Sequence, residues 1–136
     1  MIPTITKGTI KMRKILFRGK CLTSKQWNYG CYVDVPGYKP HIIKSSGNSH
    51  NVDPETVGQY TGIKDKNGVK IFEGDIVQNH GEHWKRVVYF DIGKLQFRIK
   101  ENTDSVWEKN DSCFGYGAKD IEKFEYEITG NIHKGD

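Results

Sequence analysis

Hydrophobic and polar residues alternate along this chain in short runs separated by turn formers, the period-two signature of strands that bury one face. In residues 14–21, Ile15, Phe17 and Gly19 alternate with Leu16, Arg18 and Lys20. Trp27–Asp34 follows, with Trp27, Tyr29, Cys31 and Val33 on one face, and the join Leu22–Gln26 is short enough for an antiparallel hairpin. Val35–Val52 is loop-like, with Pro36, Gly37 and Pro40, a short strand at His41–Lys44, and the polar cluster Ser45–Ser49, where a subdomain boundary is expected.

The second half repeats the pattern. Val57–Ile63 is spaced by glycines and followed by Asp65-Lys66-Asn67-Gly68, a turn sequence because Asn and Gly both tolerate positive φ. Val69–Phe72 and Ile76–Val77 open further strands on either side of Gly74. Trp84–Asp91 and Leu95–Lys100 form a hairpin through Ile92-Gly93-Lys94; Leu95, Phe97 and Ile99 are expected inward, and Gln96, Arg98 and Lys100 toward water. Val106-Trp107 reads as a short strand, Asn110–Ala118 as a loop, Lys119–Lys123 as one helical turn, and Phe124, Tyr126 and Ile128 as the inward face of a last strand. The expected core is Val77, Val88, Phe90, Phe97, Ile99 and Ile128. Many short strands with turn chemistry between them predict a small barrel or sandwich.

Composition sharpens this picture. The 136 residues hold 15 glycines and 16 aromatics (three Trp, seven Tyr, six Phe) but one alanine, Ala118, a balance that suits strands rather than helices. The length fits one domain or two small subdomains. Mean hydropathy is −0.69, and with no long apolar run neither a membrane span nor a secretory leader is expected. Three cysteines, Cys21, Cys31 and Cys113, are an odd number, which argues against a disulfide framework and for a reducing, cytoplasmic setting. Met1–Lys11 lacks periodicity and is expected to be a flexible extension, with Met12 a natural start.

Charge is unevenly placed. Residues 1–68 hold 11 basic and 4 acidic residues, net +7, whereas residues 69–136 hold 10 and 13, net −3. No acid precedes Asp34. Two basic, aromatic groupings follow: Arg18 and Lys20 with Trp27, Tyr29 and Tyr32, in a basic run that also holds Lys14 and Lys25, and Trp84, Lys85 and Arg86 with Arg98 and Lys100 beside His80 and His83. Such side chains can stack bases and track phosphates, so Lys14, Arg18, Lys20, Lys25, Trp84, Lys85, Arg86 and Arg98 are the candidate nucleic-acid contacts. The competing reading places these aromatics in two small cores or at oligomer contacts.

Catalytic chemistry has little to stand on. Cys113, in DSCFGYG, lacks a nucleophile motif, and GYG is not followed by the long helix a phosphate cradle requires. His80 and His83 with Glu82 make one close pair, short of the three or four ligands zinc needs. Glu73 and Asp75 in EGDIV are expected to accept backbone N–H groups in a turn. No catalytic residue, metal or cofactor is therefore assigned.

Three segments resemble the YopX family of phage and prophage proteins: ILFRGK (Ile15–Lys20), TVGQYTGIKDKNGVKIFEGDIV (Thr56–Val77) and YEITGNIH (Tyr126–His133). The resemblance runs from Met12 to about His133. It implies a mainly β chain whose C-terminal part, from about Val57, is similar to SH3-type barrels, and it implies no enzymatic activity. The expected organisation is thus a 1–11 extension, a 12–55 N-terminal β-rich subdomain and a 56–136 SH3-like barrel. The expected function is that of a non-enzymatic accessory protein in the cytoplasm of a bacterial host, acting on a protein partner or by homo-oligomer formation. The alternative is a nucleic-acid-binding module that uses the basic N-terminal half.

Overall fold

The computed structural model describes residues 14–79, 85–93, 95–101 and 125–133. Among them the chain is mainly β, without an α-helix, and forms two antiparallel sheets. In chain order the strands are β1 (Phe17–Lys20), β2 (Trp27–Val33), β3 (His41–Ile43), β4 (Ser49–Asn51), β5 (Gly58–Lys64), β6 (Lys70–Phe72), β7 (Asp75–Gln78), β8 (Lys85–Asp91), β9 (Gln96–Glu101) and β10 (Glu127–Asn131), with a 3₁₀ turn at Pro54–Thr56. The first sheet runs β4-β3-β2-β1-β5-β6 and the second β10-β7-β8-β9. No described helix is long and apolar enough to cross a membrane.

Turn chemistry sets the strand order. Leu22–Gln26 closes the β1–β2 hairpin, with Lys25 in the left-handed region at φ 62°. The polar cluster expected to mark a boundary is instead the β3–β4 turn: the Lys44 N–H donates to the Asn48 carbonyl at 2.8 Å, and Gly47 takes φ 94°. At the β5–β6 turn, Asp65 Oδ1 accepts the N–H groups of Asn67 and Val69, both at 2.9 Å, and Gly68 takes φ 83°. An Asx turn of this kind needs the Asp-x-x-Gly spacing present in the sequence.

The main core joins the sheets. Ile71 from β6 packs with Val77, Val88, Ile99 and Tyr126, and half-buried Ile63 and Ile128 lie against them. Each fully buried aliphatic side chain contributes about 2 kcal/mol. Ile42 and Val52 are fully buried within the first sheet's own packing. The expected inward positions Val77, Val88, Phe97 and Ile99 are interior. Three positions differ. Phe90 is 38% exposed, and Leu95, at φ 54° just ahead of β9, is 76% exposed. Arg98, expected in water, is buried, with an ion pair to Asp91 at 3.6 Å offsetting part of the cost of burying its charge. The expected division at residue 56 falls inside the first sheet, where β5 pairs with β1. The expected features at residues 1–11, 106–107, 110–118 and 119–124 lie outside the described residues.

Candidate binding surfaces

The first strand's cations lead inward. In register, Arg18 stands opposite Tyr29 on β2 and Gly58 on β5. A side chain at Gly58 would sit 2.6 Å from the Glu73 carbonyl oxygen, so glycine there lets the β6–β7 turn close onto the first sheet. Gly74, at φ 92°, completes that turn and delivers Asp75 beneath Arg18. The Arg18 guanidinium meets Asp75 Oδ1 at 2.8 Å, with both side chains buried. It lies between two rings, 4.3 Å from the Trp27 centroid and 4.9 Å from that of Phe72. Asp75 Oδ2 accepts the Phe72 N–H at 2.7 Å. Burial pushes the Asp75 carboxyl above its ordinary value, against the pull of Arg18. Both carboxylate oxygens are engaged, so the arrangement is a joint between sheets rather than an acid–base centre.

Lys20 extends this joint to the last strand's end. Its ammonium donates to the His133 carbonyl at 2.9 Å and lies 5.3 Å from the Trp27 ring. The His133 ring stands edge-on to Trp27 with centroids 6.0 Å apart. Burial, then the charges of Arg18 and Lys20, hold the His133 pKa below its usual value. The three resembling segments therefore converge: FRGK supplies Arg18 and Lys20, FEGD supplies Phe72 and Asp75, and NIH supplies His133.

Two clefts flank His133. One, of about 370 Å³, is mainly apolar, walled by Val57, Val87, Val88 and Ile132 and including Glu55 and Glu73. The other, of about 390 Å³, mixes Lys20 and Lys25 with Asp53, Glu55 and Thr56. Beyond them, the β8–β9 hairpin end presents Ile92 at 80% exposure and Leu95 at 76%, beside Phe90.

Of the seven cationic candidates, four are buried. Arg18 and Lys20 are buried in the joint. Arg86 is also buried; it donates to the Tyr126 hydroxyl at 3.2 Å and lies 5.8 Å from that ring. Arg98 is interior, as described above. Lys14, Lys25 and Lys85 are exposed. Trp84, His80, His83 and Cys113 lie outside the described residues. Of the aromatics in the first grouping, Tyr29 packs on Phe72 with centroids 5.4 Å apart, and Tyr32 contacts Phe17. Among the described residues, no three His, Cys, Asp or Glu side chains are grouped to hold a metal. The sequence reading missed the concave surface around β4, where Tyr38, Lys39 and His41 gather. The available signal was the absence of any acid from Val35 to Val52.

The fold and joint define a class: a mainly β protein of two antiparallel sheets, pinned together by a joint that three separated segments build around a buried ion pair. Residues 13–135 match the family described as YopX protein, and the chain belongs to that family. Among solved structures it is similar to protein EF1440 from Enterococcus faecalis, at 21% identity and a TM-score of 0.51. That similarity covers 90% of this chain and 95% of the other, and it concerns the fold. A comparison with curated proteins finds no match.

Proposed function

We propose that this YopX-family chain is a non-enzymatic phage or prophage accessory protein that works by binding another protein or a second copy of itself. The observation that carries this reading is the β8–β9 hairpin end. Ile92 and Leu95 lie almost fully in water beside the partly exposed Phe90, so three large apolar side chains are clustered on one hairpin. Keeping such side chains hydrated forgoes about 1.5–3 kcal/mol each, which association would recover. The neighbouring apolar cleft offers a second surface of the same chemistry.

The second half of the chain is read here as SH3-like. Supporting this, Asp65 at the end of β5 reaches the last strand: its Oδ2 accepts the Ile128 N–H at 3.1 Å, and the Lys66 N–H donates to the Tyr126 carbonyl at 3.0 Å. These bonds draw β5 toward β10, as closure of a small barrel requires.

Sedimentation of the full chain across a concentration range tests self-association, and affinity capture with defined candidate partners tests binding to another protein. Ile92→Ser with Leu95→Ser is expected to leave the thermal midpoint within experimental error and to weaken whichever association is found. An association unchanged by this pair of substitutions would remove the hairpin from the reading; a strict monomer without protein partners would remove the reading itself.

A further inference from the structure

The region around β4 points to a ligand that the proposed function does not include. From Val35 to Val52 the chain contains Lys39, Lys44, His41 and His50 but no Asp or Glu. β4 is the last strand of its sheet among the described residues, and two hollows of about 340 Å³ each lie against it. They share Lys39, Ser49 and Asn51, and so form consecutive parts of one groove. The first hollow adds Tyr38 and His41, the second Leu22, Thr23 and His50. No carboxylate lines either one. Cys21, which also lines the second, is the one group there able to become negative, since hydrogen bonds from Ser24 and Thr23 draw its thiol down to about 6; the residue itself is buried.

The side chains have the right division of labour for a nucleotide. Tyr38 is 72% exposed, yet its backbone is fixed by a turn in which its N–H donates to the Val35 carbonyl at 3.2 Å and Gly37 takes φ 88°. With the backbone fixed in this way, only the side-chain torsions remain to be ordered when the exposed ring stacks on a base. His41 Nδ1 lies 2.9 Å from the Lys39 carbonyl, which makes it the protonated nitrogen and leaves Nε2 of the neutral ring an acceptor. Ser49 and Asn51 are exposed and supply donors and acceptors suited to base edges.

We propose that this carboxylate-free groove over β4 binds single-stranded nucleic acid, with Tyr38 stacking on a base, Lys39 in the groove meeting one phosphate and Lys44, outside its lining in the β3–β4 turn, meeting a second. An acidic peptide would share the attraction to lysine but would have no use for the Tyr38 ring. The groove is separate from the hairpin end, so its test is independent of any protein association.

Fluorescence anisotropy of the full chain with a labelled oligothymidine of about ten nucleotides tests the proposal. Saturable binding at low salt is expected, with a slope of log affinity against log salt of about −1.4 for two phosphates met. Tyr38→Ala is expected to weaken binding about tenfold, and Lys39→Glu to weaken it and flatten the salt slope, both with an unchanged thermal midpoint. Absence of binding at low salt, equal affinity for the matching duplex, or indifference to Tyr38→Ala with full competition by polyglutamate would each overturn the proposal.

Discussion

Arg18 shows how a charge in a short strand can be drawn inside. Its alternation with Phe17 and Gly19 gives no hint of burial, and its partner Asp75 lies far along the chain, so local pattern alone would leave it in water. What admits it is the company of a carboxylate at 2.8 Å and two aromatic faces. Removing one member leaves the other charge buried and uncompensated. Arg18→Met is therefore expected to lower stability by about 3–5 kcal/mol, read from the urea midpoint, whereas Arg18→Met combined with Asp75→Leu should recover much of that loss. The nearby histidine gives a pH signature of known sign. Because the folded pKa of His133 lies below the unfolded value, the unfolded chain binds more protons between the two. Stability from this residue is full above the unfolded value of about 6.5 and is lost as pH falls through the folded one. Asp75 has the opposite sign: its raised pKa means that its contribution declines as pH rises through the folded value. Denaturation midpoints from pH 7.5 down to 5 are expected to fall less in His133→Gln than in the parent.

At the level of the elements, most strands were legible and their inward faces only partly so. Alternation located β2, β3, β5, β8 and β9 to within a residue or two, because period-two burial leaves its mark on neighbours. Facing failed where a long polar side chain found an interior partner, as at Arg98, and where a hairpin end kept apolar residues outside, as at Leu95. The joint was legible only through the three resembling segments, since nothing local says that FRGK, FEGD and NIH meet. Glycines carry a sharper message than the pattern suggests. A Cβ at Gly30 would collide with the Ile43 backbone carbonyl oxygen, so the β2–β3 pair can approach only with glycine at that position. Gly130 has open space around it and no positive φ. Gly30→Ala is accordingly expected to destabilise by well over 1 kcal/mol, as overpacking against backbone does. Gly130→Ala should be neutral or stabilising by about 0.4–1 kcal/mol through the unfolded state. Thermal melts of the two variants side by side would check the contrast.

For the molecule as a whole, the open question is whether a boundary near residue 56 separates two folding units. The packing argues that it does not. β5 hydrogen-bonds to β1 across that boundary, Ile71 from the first sheet sits in the core with Val77 and Val88 of the second, and Lys20 of β1 holds the His133 carbonyl just past β10. Unfolding either sheet alone would expose the Arg18–Asp75 pair and strip apolar cover from the other, so intermediates with one sheet intact should be costly. A single cooperative transition is expected in urea. Methyl resonances of Ile42, deep in the first sheet, and Val88, deep in the second, should lose native intensity at the same midpoint and with the same slope. Arg18→Met, which cuts the link between sheets without touching either ladder, should pull the two midpoints together to lower urea if the core alone maintains cooperativity. If the ion pair is the essential coupling, the Ile42 and Val88 curves would instead separate in that variant. Separation already in the parent protein would show two independent units and return the boundary to residue 56.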